Sequence, residues 1–374
     1  MVMADRDGVE VATGPIKFLA VTGLVGTMVN GLARVPFARP WQGPAGILDN
    51  IGRSVTRQAV RSFLGYLLSL PIEEYRAMEK VLDQVCSAVL PPVVGGVGRV
   101  EIEKDRVGGV DGVWVRSKDD VQVDRRGDPI AIRGTILYLH GGGYVATTPM
   151  MYTMFAAALV RLSGCRIFIP DYRMAPEFPY PAGMHDAAAV YRAFLDSGIP
   201  AEHLILAGDS GGGGLATSLV IHLREQGLPR PAAMALFSPE VDLDLSDDSV
   251  VENARSDVLP WSIPVAPYLK GALQPGDDRV STRYAHPDPE WFPPTFLCWG
   301  GEEMFRDSCR AFAERLRGAG LLLKAMEEEG MFHVFPLLLP ASEASKRVFR
   351  ALAELAAENV TPADEVPSVE NVGL

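Results

Sequence analysis

Ser210 stands between glycines in Gly208-Asp209-Ser210-Gly211-Gly212, directly after the apolar run Leu204-Ile205-Leu206-Ala207. A serine hydroxyl becomes a useful nucleophile when the backbone lifts it clear of its surroundings and a base takes its proton. A sharp strand-to-helix turn does the lifting, and glycines on both sides let that turn close without Cβ clashes. The short pattern Gly-x-Ser-x-Gly is permissive when it stands alone. Here a second motif, His140-Gly141-Gly142-Gly143-Tyr144, precedes it and also closes an apolar run. Consecutive glycines at a strand end allow several backbone N–H groups to converge on one oxygen. The two motifs in this order point to an esterase.

Acyl transfer by serine needs a nucleophile, a base, an acid that orients the base, and donors for the developing oxyanion. Ser210 is the candidate nucleophile. Gly142 and Gly143 are candidate oxyanion donors, joined by Gly211, whose N–H would open a helix and favour negative charge. The base belongs on a loop after the last strand, where His333 sits in Glu329-Gly330-Met331-Phe332-His333. His185 and His222 fall in helical stretches, His203 precedes the nucleophile strand and His286 lies in an Asp/Pro-rich segment, so these read as surface or packing residues. His140 is expected to brace its own loop. Three carboxylates follow the strand expected over 295–299. Glu303 is preferred as the acid, then Asp307, whose place at a helix start is explained by capping, then Glu302.

These side chains need a frame. Strands are expected over 99–103 and 112–116 as an edge hairpin, then over 134–139, 166–170, 204–207, 232–237, 295–299 and 321–326. The later runs are continuously apolar, as in strands covered on both faces. Helical patterns over 152–162, 184–195, 211–226, 308–317 and 341–358 separate them. Alternation of this kind implies right-handed crossovers and a parallel sheet, with chemistry at the carboxyl ends of the strands. His140, Ser210, Glu303 and His333 each fall just after an expected strand. The chain divides into an N-terminal tail and helical cap segment over 1–97, a catalytic α/β domain over 98–239 and 295–360, a cap insertion over 240–294, and a tail over 361–374. Pro91-Pro92 is expected to end the last cap helix. Arg53, Arg57 and Arg61 form a basic stripe, expected to be a solvated helix face.

The 374 residues carry a net charge of −12 with no long basic run, which argues against nucleic acid as a partner. No Cys-x-x-Cys or His-Glu-x-x-His occurs, so neither a metal nor a cofactor is expected. The four cysteines read as small apolar residues, which favours a reducing, cytoplasmic compartment. Residues 18–33 carry no charge, yet spanning a bilayer takes roughly 20 apolar residues. The segment is expected to form a lid helix over an apolar pocket, with peripheral membrane contact through residues 16–33 as the alternative.

The chain resembles the hormone-sensitive-lipase family of α/β-hydrolases. The matching pieces are His140-Gly-Gly-Gly-Tyr144, Asp171-Tyr-Arg-Met-Ala-Pro-Glu177 with Pro179-Tyr-Pro-Ala182, Gly208-Asp-Ser-Gly-Gly212 and Gly330-Met-Phe-His333. The resemblance covers roughly residues 98–358. It implies an eight-stranded, mostly parallel sheet with the second strand antiparallel, a helical cap, and hydrolysis of a small-molecule carboxylic ester of short to medium chain without a cofactor. It also allows a homodimer through the last strand and helix. Two positions depart from the family pattern: Gly211 replaces the usual alanine after the nucleophile, and Glu303 replaces the usual aspartate of the acid motif. Asp171 and Arg173 are expected to fix the loop near the oxyanion glycines. An amidase or deacetylase with the same triad, and a non-catalytic ligand receptor on the same fold, are the competing readings. The latter would lack the base that His333 supplies.

Overall fold

The computed structural model describes residues 14–38, 43–97, 99–118, 122–123, 129–130, 134–260 and 263–359. The tails expected at 1–14 (Gly14 apart) and 361–374 lie outside the described residues, as does the boundary at residue 98.

Eight strands form one sheet: β1 (Val100–Val107), β2 (Val110–Ser117), β3 (Thr135–Leu139), β4 (Arg166–Pro170), β5 (Leu204–Asp209), β6 (Ala233–Phe237), β7 (Thr295–Gly300) and β8 (Leu322–Glu328). Their spatial order is β1-β2-β4-β3-β5-β6-β7-β8. β1 and β2 are an antiparallel hairpin, β2 runs antiparallel to β4, and every other pair is parallel. The hairpin strands reach beyond the expected ranges: the antiparallel pairing continues to Val107↔Val110, with Arg106 and Asp111 opposite one another and ion-paired across it. β3 and β5 are buried along their whole length, as their unbroken apolar sequences require. Leu139 pairs with Gly208, which brings the ends of both glycine motifs side by side.

Helices cover both faces: α4 (Thr153–Ser163) and α8 (Glu343–Asn359) on one, α5 (Ala182–Asp196), α6 (Ser210–Glu225) and α7 (Arg306–Gly318) on the other. Three longer helices precede the sheet: α1 (Gly14–Ala33), α2 (Ile47–Leu67) and α3 (Ile72–Val97).

The cap helices differ from the sequence expectation in three ways. α3 continues through Pro91-Pro92 to Val97. Proline removes two N–H donors, but Val94 beyond them is buried with Val100, Val113 and Val115, and that packing holds the last turn. α1 does not roof the pocket. It stacks outside α2, with Ala20 and Leu24 buried and Ala20 O accepting the Tyr66 hydroxyl at 2.8 Å. The helix is apolar around its circumference, and α2 already holds the roof, so Phe18, Leu19, Val25 and Val29 stay exposed.

Nor is the arginine stripe of α2 a solvated face. Arg53 is buried and donates to Gly330 O at 2.6 Å, Arg57 pairs with Glu302 at 2.7 Å, and Arg61 donates to Asp257 O at 2.9 Å. The loops it meets offer carbonyl and carboxylate oxygens, so the stripe docks α2 onto the carboxyl end of the sheet.

Candidate active site

At the end of β5 the chain turns directly into α6, and Ser210, the first helical residue, takes φ +51°. That left-handed geometry projects the side chain away from both elements and is uncommon outside glycine. The turn is tight enough to exclude a side chain at position 212: a Cβ there would lie 2.1 Å from Leu139 O and 2.3 Å from His140 O.

His333 lies after β8, and its Nε2 is 2.8 Å from Ser210 Oγ. Its Nδ1 faces Glu303 Oε1 at 3.8 Å, a close approach longer than a hydrogen bond. Both atoms are buried and have no other hydrogen-bond partner. The other Glu303 oxygen is fully engaged, accepting from Ser238 Oγ at 2.6 Å and from the Gly300 N–H at 2.8 Å. Glu302 points to Arg57, and Asp307 pairs with Arg306 and accepts the Ser249 N–H at 3.1 Å, so neither faces the imidazole. Burial pushes the His333 pKa down, but the carboxylates of Glu303, Asp257 and Asp209 outweigh it, and the net shift is upward.

The glycine loop after β3 adjoins the Ser210 turn. Gly142 and Gly143 have φ of +121° and +61°, and a Cβ built on Gly211 would sit 3.1 Å from Gly143 Cα. His140 is buried, with Nδ1 2.9 Å from Thr147 Oγ1, and stacks on Tyr172, whose hydroxyl donates to His140 O at 2.6 Å. Tyr172 therefore braces this loop, whereas Arg173, expected to do so, pairs with Asp186 on α5. The Arg173 side chain is half exposed and follows the nearest carboxylate. Asp171 contributes a backbone N–H bond to Asp111 O on the hairpin. Asp209 ties the two motifs together, accepting from Tyr138 at 2.9 Å, the Gly141 N–H at 2.9 Å and Tyr152 at 3.1 Å. Its desolvation raises its pKa to about 6.

A family model described as the alpha/beta hydrolase fold matches residues 136–337, which takes in the strands from β3 to β8 and the whole of this site. The chain belongs to that family.

Within it the hydrolase is a member of the hormone-sensitive-lipase group. It is 34% identical over 214 residues to an acetyl-hydrolase of Streptomyces hygroscopicus, covering 57% of this chain and 72% of the relative. An esterase of Acinetobacter venetianus is 28% identical over 284 residues, 75% of this chain and 88% of its own. Among solved structures, the esterase EstE5, in a crystal soaked with p-nitrophenyl butyrate, aligns with a TM-score of 0.68 at 26% identity over 85% of this chain and 99% of that one. An esterase from the bacterial hormone-sensitive lipase family aligns with a TM-score of 0.63 at 25% identity over 93% and 99%.

Above Ser210 the hydrolase encloses a cavity of about 590 Å³. α2 and α3 supply Phe63, Leu67 and Leu82, and the segment after β6 supplies Glu240, Leu259 and Pro264. Among the described residues no three His, Cys, Asp or Glu side chains are grouped to hold a metal ion.

Sequence reasoning passed over several residues that position the site. Asp257, fully buried, accepts the backbone N–H of His333 at 2.9 Å through one oxygen and that of Met304 at 2.8 Å through the other. Ser238 links the loops that carry Glu303 and His333, donating to Glu303 and accepting the Val334 N–H at 2.9 Å. Arg76 on α3 donates to Val145 O at 2.8 Å, to Ala175 O at 3.0 Å and to Glu177, anchoring the cap to the glycine loop. Only Ser238 carried a usable signal: it is a lone polar residue at the end of an apolar strand, where such sheets collect their chemistry.

Proposed function

We propose that this carboxylic ester hydrolase works through an acyl-enzyme on Ser210. Oγ attacks the ester carbonyl carbon while His333 Nε2 takes its proton. Glu303, facing Nδ1, holds the ring in the matching tautomer and stabilises the imidazolium. The amides of Gly142, Gly143 and Gly211 receive the oxyanion. Collapse of the tetrahedral adduct returns the proton from His333 to the departing alkoxide, which leaves as the alcohol. Water, deprotonated by the same imidazole, then attacks the acyl carbon; the bond to Ser210 Oγ breaks, the imidazolium returns the proton to Oγ, and the acid leaves. The observation that carries this reading is the 2.8 Å approach of His333 Nε2 to Ser210 Oγ, at a positive-φ turn beside a glycine loop.

The apolar walls and the volume of the cavity support short to medium acyl chains. The name of the Streptomyces relative and the soak of the EstE5 crystal support small esters in the same direction. A series of p-nitrophenyl esters tests both points. Ser210→Ala should lower kcat on the butyrate by at least about 10³-fold, and kcat/KM should peak at short or medium chains. Normal turnover by Ser210→Ala, or a rate that climbs steadily into long chains, contradicts the proposal.

A second reading concerns where the enzyme works, and α1 supports contact with a lipid surface. Residues Phe18–Phe37 are long and apolar enough to cross a bilayer, and Phe18, Leu19, Val25, Val29 and Phe37 are exposed. An exposed apolar surface of this kind gains free energy when it is buried at a membrane interface. With a net charge of −12, zwitterionic phosphatidylcholine vesicles are the appropriate probe. The full chain should float with them and Val25→Glu/Val29→Glu should not; a full chain that stays in the dense fraction contradicts the reading.

A further inference from the structure

We propose that Glu240 selects esters carrying a hydrogen-bond donor, a hydroxyl or a protonated amine, beside the scissile group. The inference rests on Ser210 being the nucleophile and adds the substrate class that the site prefers.

Glu240 follows β6, and its backbone N–H donates to Ser210 O at 2.9 Å, which fixes it next to the nucleophile. Its side chain is among those lining the cavity, is 1% exposed, and its Oε1 is sealed from water without any hydrogen-bond partner. Buried carboxyl oxygens are rarely left this way, because an unsatisfied acceptor costs about 1–3 kcal/mol. The other carboxyls around the cavity are engaged: Asp209 accepts from two tyrosines and the Gly141 amide, and Glu79 pairs with Arg76 at 2.9 Å. Among the described residues no lysine or arginine lines the cavity, so none answers Glu240. The remaining walls are overwhelmingly aliphatic and aromatic. An acceptor held beside the nucleophile, to which no described side chain donates, is the complement of a donor brought in by the ligand.

The electrostatics agree with this reading. Burial pushes the Glu240 carboxyl up to about 8, against the opposing pull of His333 and with the support of Asp242, so this carboxyl is mostly protonated near neutral pH. A substrate hydroxyl donates to the neutral carboxyl. A substrate ammonium favours loss of the carboxyl proton and forms an ion pair in a weakly screened site. A substrate carboxylate placed beside Glu240 meets a second acidic group and, among the described residues, no lysine or arginine, and is disfavoured.

The test compares esters of matched shape. Hydroxyethyl butyrate is set against propyl butyrate and dimethylaminoethyl butyrate against isoamyl butyrate, placing the donor on the alcohol side. Ethyl dimethylaminobutyrate against ethyl isoheptanoate places it on the acyl side. Each pair is measured in wild type, Glu240→Leu and Glu240→Gln. The wild type should favour the donor-bearing member of at least one pair by about tenfold or more in kcat/KM. Glu240→Leu should erase or invert that preference. Glu240→Gln, which keeps an acceptor but cannot ionise, should retain a hydroxyl preference and lose an amine preference. Because each preference is a ratio within one protein, a rate loss or folding loss common to both esters cancels. Titration with a fluorophosphonate counts reactive Ser210 in every variant, so a failure of the nucleophile assignment shows there and not in the ratios. The proposal is overturned if wild type discriminates in none of the pairs, or if Glu240→Leu keeps the wild-type preference.

Discussion

Ser210 is held by backbone, whereas His333 and Glu303 are held by side chains borrowed from distant parts of the chain. On the nucleophile side, a positive-φ serine and glycines at 142, 143, 211 and 212 let two strand ends touch, and Leu139 O and His140 O lie where a Cβ of residue 212 would be. On the acid–base side, Asp257 holds the backbone of His333 and Met304, while Ser238 bridges Glu303 and the Val334 amide. The first half depends on the absence of volume and the second on the presence of acceptors. Substitutions should therefore damage the two halves by different physical routes.

The largest effect expected is Gly212→Ala. Its methyl meets two backbone carbonyls that belong to β3 and its glycine loop and cannot rotate away, so we expect a loss of about 3 kcal/mol or more, read as a fall in Tm or in soluble yield. A stable, active Gly212→Ala protein would break the claim that volume governs this half.

Next comes Glu303→Gln, which tests the other half. The amide oxygen still accepts from Ser238 and Gly300, so the fold should survive. The amide nitrogen would then face His333 Nδ1 as a second donor and impose the wrong tautomer, lowering kcat by about 10³–10⁴-fold. The acid limb of the pH profile gives a separate readout. His333 must be neutral to act as base, and its raised pKa places that limb above the ordinary imidazole range. Removing the Glu303 charge should move the limb to lower pH. By linkage, the pairing of His333 stabilises the fold below the ordinary imidazole pKa, and that contribution is lost as pH rises through the folded value.

Asp257→Asn should cost less, about 10- to 100-fold in kcat with a loss of about 1–3 kcal/mol in stability. One of the amides that Asp257 accepts would then meet an N–H₂ group instead of an oxygen. Its acid limb should also fall, because Asp257 contributes to the raised His333 pKa. The smallest effect belongs to Arg57→Ala. The Arg57–Glu302 pair is partly exposed, at 21% and 41%, so its loss should cost under about 1 kcal/mol of stability, read as a small fall in Tm, and change kcat/KM about twofold. A hundredfold loss there would show that the docking of α2 governs the catalytic loops more strongly than the acceptors do.

The same contrast explains what the sequence discloses. Gly208–Gly212 and His140–Tyr144 are legible because a backbone-held site must spend glycines locally, in contiguous motifs at strand ends. The sheet is legible because β3, β5, β6 and β7 are unbroken apolar runs. Asp257 is not legible, since it lies in an Asp-rich stretch where many residues look alike and its hydrogen bond to His333 spans 76 positions. The stripe Arg53-Arg57-Arg61 has the spacing of a solvated helix face, and only the tertiary fold brings Gly330 O, Glu302 and Asp257 O against it. The helical run past Pro91-Pro92 is likewise decided by burial of Val94, a contact that local propensity does not encode.

The claim that most depends on measurement is that Ser210 is the residue activated by His333. Intact-mass analysis and peptide mapping after treatment with a fluorophosphonate address it directly. One adduct per chain is expected, on Ser210, forming at least about 10²-fold more slowly in His333→Gln. An adduct on another residue, or labelling of Ser210 at an unchanged rate without the imidazole, would contradict it.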